Sequence, residues 1–281
     1  MFFIAFISLV FAKMEVQGHR GARSIHPENT LKAMRYALEV GVDTLEMDLG
    51  VTKDNVLVLS HDPILNAEIC RTNQGKKLSE PVVIRSLTFQ ELQKYNCASV
   101  KNPNFPKQVP DAAESIPKLE DVFKLVQKSK LPAAKKVEFN IETKMSPDHP
   151  ELSPSPEKFA QLIIDMAKKH KLLDRIIIQS FDHRSLKAAK KIEAKVRVAA
   201  LTGKVYPPNL LEVLRDIPAD IWSPNYKTLN QTTVTRVQKA GIRVIPWTAN
   251  TKESWDKLVN LGVDGIITDD PAALQQFLKR D

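Results

Sequence analysis

A closed α/β barrel of eight strand–helix units is the fold that the sequence predicts. Three observations point there. The chain has 281 residues, enough for one such barrel of roughly 250 residues with an insertion. From residue 16 to residue 279, short apolar runs alternate with stretches of helical periodicity. No glycine-rich dinucleotide fingerprint follows any of those runs, which disfavours the main competitor, an open doubly wound sheet.

The elements follow in order. Val16 to His19 reads as a short strand, and Glu28 to Val40 as a helix with Leu31, Met34, Ala37 and Leu38 on one apolar face. Thr44 to Leu49 is the second strand. After an interruption come a helix from Leu119 to Ser129 and a strand from Val137 to Glu142. Glu157 to Lys171 is helical, Arg175 to Ser180 a strand, His183 to Glu193 helical and Val196 to Leu201 a strand. Asn209 to Arg215 is a short helix and Asp220 to Trp222 a short strand. Asn230 to Ala240 is a helix that Gly241 is placed to stop. Arg243 to Trp247, Lys252 to Leu261, Gly265 to Thr268 and Ala272 to Lys279 complete the series. Eight strands each followed by a helix are the count of a (β/α)8 TIM barrel.

Two stretches interrupt the alternation. In Gly50 to His61, Asp54-Asn55 has the composition of a two-residue turn, since both side chains tolerate the left-handed region. With Lys53 opposite Val56, the pairing runs outward until Asp48 faces His61. The second stretch, Pro63 to Pro117, is an irregular insertion expected to lie over the C-terminal ends of the strands, where barrel enzymes place their sites. It holds both cysteines, Cys70 and Cys97. An exported chain would join them in a disulfide and a cytosolic one would keep two thiols; spacing leaves both readings open. Two cysteines without paired histidines do not suggest a zinc site.

Met1 to Ala12 is almost wholly apolar and too short to span a bilayer as a helix. It reads as the hydrophobic region of a secretory signal, with Val10-Phe11-Ala12 as the cleavage site, although a basic leader region is missing. The expectation is therefore a periplasmic or secreted protein with one barrel domain over 13–281. The alternative is a cytoplasmic chain whose N-terminal extension caps one end of the barrel. The net charge of +8 comes from 41 Lys and Arg spread beside acidic residues, with no nucleic-acid-binding motif, so no nucleic-acid partner is expected. Such a field draws anionic small molecules. No stable membrane span is expected, and nothing in the sequence specifies an oligomeric state.

Glu46 and Asp48 lie two apart on the second strand and so share a face, the barrel interior, where an unpaired carboxylate is costly. Glu142 ends the third strand at the same level. Three carboxylates without a cysteine favour one hard divalent cation, Ca²⁺ or Mg²⁺; the plainer reading is ion pairing with Lys or Arg. His19 and His61 sit at neighbouring strand ends around that trio, and imidazole can take or give a proton near neutral pH. Arg20 offers a planar fork for phosphate oxygens and Lys144 a second positive charge. Phe181 and Trp247, at strand ends, can wall a pocket for alcohol or glycerol carbons, or simply cap the core. Asn250, Thr268 and Asp269 lie at the mouth, with Asp269 reading as part of a helix N-cap. His26, His149, His170 and His183 read as surface residues.

Gly18-His19-Arg20-Gly21 followed by Pro27-Glu28-Asn29-Thr30 resembles the opening signature of glycerophosphodiester phosphodiesterases. Glu46-Met47-Asp48, Thr52-Lys53-Asp54, His61-Asp62, Ile141 to Lys144, Gln179-Ser180-Phe181, Trp247 to Asn250 and Asp264 to Asp269 are similar to that family in the same order. The resemblance covers nearly the whole chain after the first dozen residues. It implies a TIM barrel with a small insertion and divalent-metal-dependent hydrolysis of glycerophosphodiesters to sn-glycerol 3-phosphate and an alcohol. By position it implies His19 and His61 as the acid–base pair, Glu46, Asp48 and Glu142 as metal ligands, and Arg20 and Lys144 as phosphate contacts. Asn55 departs from the family's usual Gly but can adopt the same backbone. The alternative is a lysophospholipase D or sphingomyelinase D-like enzyme on the same barrel; the long insertion after His61-Asp62 favours the glycerophosphodiester branch. A non-catalytic binding barrel would have lost a histidine or an acid, and none is missing.

Overall fold

The computed structural model describes residues 13–279, so the expectation for Met1 to Ala12 lies outside the described residues. The chain enters through β1 (Glu15–Gly18) and α1 (Leu31–Val40). β2 (Thr44–Val51) folds back as β3 (Leu57–Leu59). An insertion then carries β4 (Arg71–Thr72), α2 (Phe89–Leu92) and β5 (Tyr95–Asn96) before α3 (Leu119–Lys128). From there strand and helix alternate through β6 (Glu138–Thr143), α4 (Pro156–Lys169), β7 (Ile176–Ser180) and α5 (His183–Ile192). The second half follows as β8 (Arg197–Thr202), α6 (Leu210–Asp216), β9 (Ile221–Pro224) and α7 (Gln231–Lys239). β10 (Arg243–Val244), α8 (Lys252–Asn260), β11 (Gly265–Thr268) and α9 (Pro271–Leu278) end the chain.

Eight of these strands form one parallel sheet in the order β10-β9-β8-β7-β6-β2-β1-β11, with β3 paired to β2 on the side. The expected (β/α)8 TIM barrel is therefore present. β10 is shorter than the strand expected over Arg243 to Trp247 because Pro246 has no N–H to give to a ladder. Bonds from Asp264 N to Val244 O (2.9 Å), Ile267 N to Pro246 O (3.0 Å) and Ala249 N to Ile267 O (3.1 Å) bring the two ends of the sheet together.

Strand alternation sorts side chains to two sides. Outward residues such as Leu45, Met47, Phe139, Ile141, Ile178, Val198 and Trp222 pack under the helices in the main core. Inside, Ile177, Ala199, Ile221, Ile245 and Ile267 form a separate apolar cluster on one half of the barrel. The opposite half is polar: Gln17, Thr44, Glu46, Asp48, Asn140, Glu142 and Gln179 are all buried.

The hairpin differs from expectation by one residue. Leu49 pairs with Leu59, Gly50 with Val58 and Val51 with Leu57. Asp48 thus stands against Ser60, whose N–H donates to Asp48 O at 3.0 Å, and not against His61. The turn has three residues, Lys53-Asp54-Asn55, because Asn55 takes a left-handed φ of 61° and closes the loop with Asn55 N donating to Thr52 O at 3.0 Å. α1 begins later than the expected Glu28: Thr30 caps it by accepting from Ala33 N at 3.1 Å. His170, expected at the surface, packs its ring on Phe123 with centroids 5.7 Å apart.

The insertion carries its own small core of Leu65, Ile69, Ile84, Leu92 and Ile116, closed by a disulfide between Cys70 and Cys97. It is tied to the loop after β1, where Gln108 Nε2 donates to Arg23 O at 2.8 Å and Val109 N to Ile25 O at 2.9 Å. The irregular chain therefore roofs the strand ends that bear His19. Among the described residues no helix is long and apolar enough to cross a membrane.

Candidate active site

Backbone shape comes first. β1 ends in a tight reversal in which Arg20 and Gly21 take φ of 50° and 84°. A Cβ at Gly18 would sit 2.2 Å from Gly21 O, and one at Gly21 would meet the backbone of Ala33 at 2.6 Å, so both positions require glycine. The reversal delivers Arg20 N to Glu46 Oε2 at 2.7 Å and places His19 at the barrel mouth.

Pairing of β2 with β6 sets Asp48 beside Glu142. Glu46, Asp48 and Glu142 each offer an oxygen, all within 4.8 Å of one another, and all three are buried. Burial, then the charges of Asp48 and Glu142, push Glu46 well above the usual carboxylate range. Burial also raises Glu142 against the opposing charge of Lys144. For Asp48 burial acts the same way, but Arg20 and Lys144, helped by the two histidines, outweigh it and hold the carboxyl far below its ordinary value. Asn29, itself at a left-handed φ of 57°, clamps Asp48 by donating from Nδ2 to Oδ2 at 2.9 Å. Asp48 Oδ1 is buried without a hydrogen-bond partner among the described residues. Three crowded carboxylates and an orphaned acceptor fit a hard divalent cation.

The two histidines are built alike. His19 Nδ1 lies 2.5 Å from Asp269 Oδ1, and His61 Nδ1 lies 2.7 Å from Asp62 Oδ1. Each ring is thus backed by a carboxylate at Nδ1, and His19 directs Nε2 toward Glu46 at 4.0 Å. Burial pushes His19 down to about 4 despite the upward pull of Asp269. The ring is therefore neutral at pH 7, with its proton on Nδ1 and Nε2 free to accept another. Asp269 is also bound by Arg23 Nε at 2.7 Å and Asn250 Nδ2 at 2.6 Å. It does not cap α9, as its position before a Pro-led helix suggested; Asp270 does, accepting from Ala273 N at 3.0 Å.

These groups share a cavity of about 130 Å³ lined by His19, Arg20, Glu46, His61, Glu142 and Lys144 on one side and by Phe181, Leu201, Trp247 and Ile267 on the other. Lys144 Nζ donates to Glu142 Oε1 at 2.7 Å and lies 3.7 Å from Asp48 Oδ1. Arg20 is more committed than the sequence suggested: Nη1 donates to Glu28 at 2.6 Å and Nε lies 3.1 Å from Asp48 Oδ2. Phe181 and Trp247 meet edge to face with centroids 5.5 Å apart. The Trp247 indole N–H is spent on Ser223 O at 3.0 Å, so the residue offers the cavity only apolar surface.

All nine side chains singled out from sequence converge on this end of the barrel, either lining the cavity or, for Asp48, offering an oxygen within 4.8 Å of the lining acids Glu46 and Glu142. From sequence none of the supporting residues takes this part, and Asp269 reads only as part of a helix N-cap. Asp62 and Asp269 back the histidines, Glu28 holds Arg20 and Asn29 holds Asp48. A carboxylate adjoining each strand-end histidine, in sequence or across the barrel seam, was the one available signal.

Residues 19–273 match the model of the glycerophosphoryl diester phosphodiesterase family. A glycerophosphodiester phosphodiesterase of Caldanaerobacter subterraneus subsp. tengcongensis is 32% identical over 270 residues, covering 95% of this chain and 99% of the relative. A crystal structure described as a putative glycerophosphoryl diester phosphodiesterase from Silicibacter pomeroyi superposes with a TM-score of 0.88 at 23% identity, over 96% of this chain and 94% of that one. An Oleispira antarctica phosphodiesterase, solved in complex with the product sn-glycerol-3-phosphate, superposes with a TM-score of 0.78 at 21% identity, over 94% and 96% of the two chains. By its family match and its relatives, this chain belongs to the glycerophosphoryl diester phosphodiesterase family, a phosphodiester hydrolase on a TIM barrel.

Proposed function

We propose that the chain hydrolyses glycerophosphodiesters to sn-glycerol 3-phosphate and an alcohol, using Ca²⁺ or Mg²⁺ and the pair His19 and His61. The observation that carries this reading is the pairing of two carboxylate-backed imidazoles with a buried carboxylate trio around one cavity. The relative solved with sn-glycerol-3-phosphate supports the choice of product.

Glu46, Asp48 and Glu142 would hold the cation, which when bound supplies positive charge against the phosphoryl oxygens. Lys144, whose charge burial opposes but Asp48 and Glu142 preserve, adds a fixed cation beside it. His19, neutral and protonated on Nδ1, accepts the proton of the attacking oxygen at Nε2. His61, held by Asp62 and lining the same cavity, delivers a proton to the departing alcohol oxygen. Arg20, fixed by Glu28 and Asp48, presents positive charge on the phosphate side. Phe181 and Trp247 exclude water around the carbon skeleton of the substrate.

A disulfide closing the roof of the site supports an oxidising compartment, and with it the export expected from the N-terminal sequence. Purified protein with Ca²⁺ or Mg²⁺ is expected to release glycerol 3-phosphate from glycerophosphocholine. His61→Ala is expected to lose at least about a hundredfold in kcat, the scale of general acid catalysis. Full turnover in excess chelator, or in His61→Ala, would sink the mechanism.

A further inference from the structure

The polar half of the barrel interior holds a chain of side chains that the mechanism above does not use. It starts at the floor with Glu15. That carboxylate accepts from Thr44 Oγ1 at 2.6 Å, from Arg243 Nη2 at 2.5 Å and from Gln17 Nε2 at 2.7 Å. Gln17 passes the direction on, because Asn140 Nδ2 donates to Gln17 Oε1 at 2.8 Å. The same Nδ2 donates to Gln179 Oε1 at 2.8 Å. Gln179 lines the active-site cavity, and β6–β7 pairing sets it beside Glu142.

An ionised carboxylate paired with arginine can only accept hydrogen bonds. Glu15 therefore requires Gln17 to point its NH₂ downward and its carbonyl at Asn140. Asn140 must answer with its NH₂, and Gln179 must turn its carbonyl down to meet it. The cost is visible: Asn140 Oδ1 is buried without a partner among the described residues. Flipping Asn140 would fill that gap only by turning the Gln17 carbonyl against Glu15, two acceptors face to face. The orphan is what the floor acid imposes.

We infer that this relay fixes Gln179 as a donor-only group whose Nε2 binds an acceptor oxygen of the bound phosphodiester. The inference rests on the hydrolase reading above and adds to it a substrate-binding residue with two positioning residues, Gln17 and Asn140. It also turns Oε1, the only atom of Gln179 able to ligate a metal, toward Asn140 and away from the cavity. Gln179 and Asn140 are 2% and 1% exposed, so neither orientation is left to solvent.

The experiment compares Gln179→Met and Asn140→Asp with the wild type, in saturating Ca²⁺ and with glycerophosphocholine as substrate. Gln179→Met keeps the bulk and removes the donor. Asn140→Asp touches nothing in the cavity but presents only acceptors, which turns the Gln179 NH₂ downward. Both are expected to raise KM by about tenfold to a hundredfold, the scale of a hydrogen bond to a charged group. kcat should change only severalfold, and the Ca²⁺ dissociation constant of Gln179→Met measured by calorimetry should match that of the wild type. Unchanged KM in Gln179→Met overturns the donor. Weakened Ca²⁺ binding in Gln179→Met without a KM effect also overturns it and makes the residue a ligand. Unchanged KM in folded Asn140→Asp overturns the relay. If that variant does not fold, Asn140→Leu replaces it, with a severalfold rise in KM expected and an unchanged KM again fatal. A wild-type protein that turns over no glycerophosphodiester overturns the hydrolase reading, and the inference falls with it.

Discussion

The two halves of the barrel interior are built from the same strand geometry and do opposite things. On the wall formed by β1, β2 and β6, the inward positions are Gln17, Thr44, Glu46, Asp48, Asn140 and Glu142. Across the barrel, Ile177, Ala199, Ile221, Ile245 and Ile267 fill the equivalent space with hydrocarbon. Outward residues do not differ in this way; both halves pack apolar side chains beneath the helices. The difference teaches that stability and chemistry are divided by face and by sector. The apolar sector is held by close packing, whereas the polar sector is held by hydrogen bonds and ion pairs that leave Asp48 Oδ1 and Asn140 Oδ1 without partners among the described residues.

The largest expected effect breaks the polar sector. Asp48 is clamped by Asn29, flanked by Arg20 and Lys144, and contributes to the carboxylate trio. Asp48→Asn keeps the volume and removes the charge that those cations face. It is expected to lower kcat/KM by at least about a thousandfold, roughly 4 kcal/mol of transition-state stabilisation. Steady-state kinetics at saturating Ca²⁺, with circular dichroism to confirm folding, measure this. A loss under tenfold would show that the trio is ordinary ion pairing.

The apolar sector should respond in the other currency. Ile177 is fully buried among Ala199, Ile221, Ile245 and Ile267. Ile177→Ala is expected to cost about 2–4 kcal/mol of stability through lost burial and the cavity left behind. Turnover per folded molecule should stay within severalfold of wild type. Urea denaturation and active-site-normalised rates separate the two readouts, and a large kinetic loss without destabilisation would erase the distinction between the sectors.

Much of this division is written in the strands. Glu46-Met47-Asp48 alternates polar inward and apolar outward, and Ile176-Ile177-Ile178 is apolar on both sides, as a strand buried on both faces requires. Local geometry that depends on a single backbone angle was harder to read. Asn55 at positive φ lengthens the hairpin turn by one residue and moves the partner of Asp48 from His61 to Ser60. His61 still reaches the cavity because the chain leaves the ladder after Leu59. Asp269 and Asp270 look interchangeable before Pro271, yet only the fold decides that one backs His19 and the other caps α9. The relay was invisible from sequence: Gln17 and Asn140 are single polar residues in separate strands, 123 positions apart.

Asp269 gives a sharper and smaller test of the polar sector, since it touches His19 and not the cation trio. Asp269→Asn leaves Arg23 and Asn250 hydrogen-bonding options but no longer holds the His19 proton on Nδ1. The expected loss is about tenfold to a hundredfold, the scale of removing an orienting partner. It should appear in kcat, with KM little changed. A loss confined to KM would place Asp269 in substrate binding and not in support of the histidine.

The smallest effect is expected for charge outside both sectors. Glu120, in the first turn of α3, accepts from Lys169 Nζ at 2.8 Å and His170 Nε2 at 3.1 Å, with Lys124 Nζ 3.1 Å away. Hydrogen bonds from Lys169, Lys124 and His170, in that order, lower its carboxyl from 4.5 to about 2. A carboxyl depressed in the folded state adds stability that is complete above about 4.5 and vanishes as the pH falls toward 2. Solvent screening limits its size, because surface pairs contribute roughly 0–1 kcal/mol. Glu120→Gln should therefore cost about 0.5 kcal/mol at pH 7 and nothing near pH 2, and 1 M salt should shrink the difference. Urea titrations of the two proteins across that range provide the measurement. A cost that persists at pH 2 would mean that Glu120 supports α3 through shape and hydrogen bonding. Exterior charge and the interior polar wall would then follow the same rule, and the barrel's division would be one of burial alone.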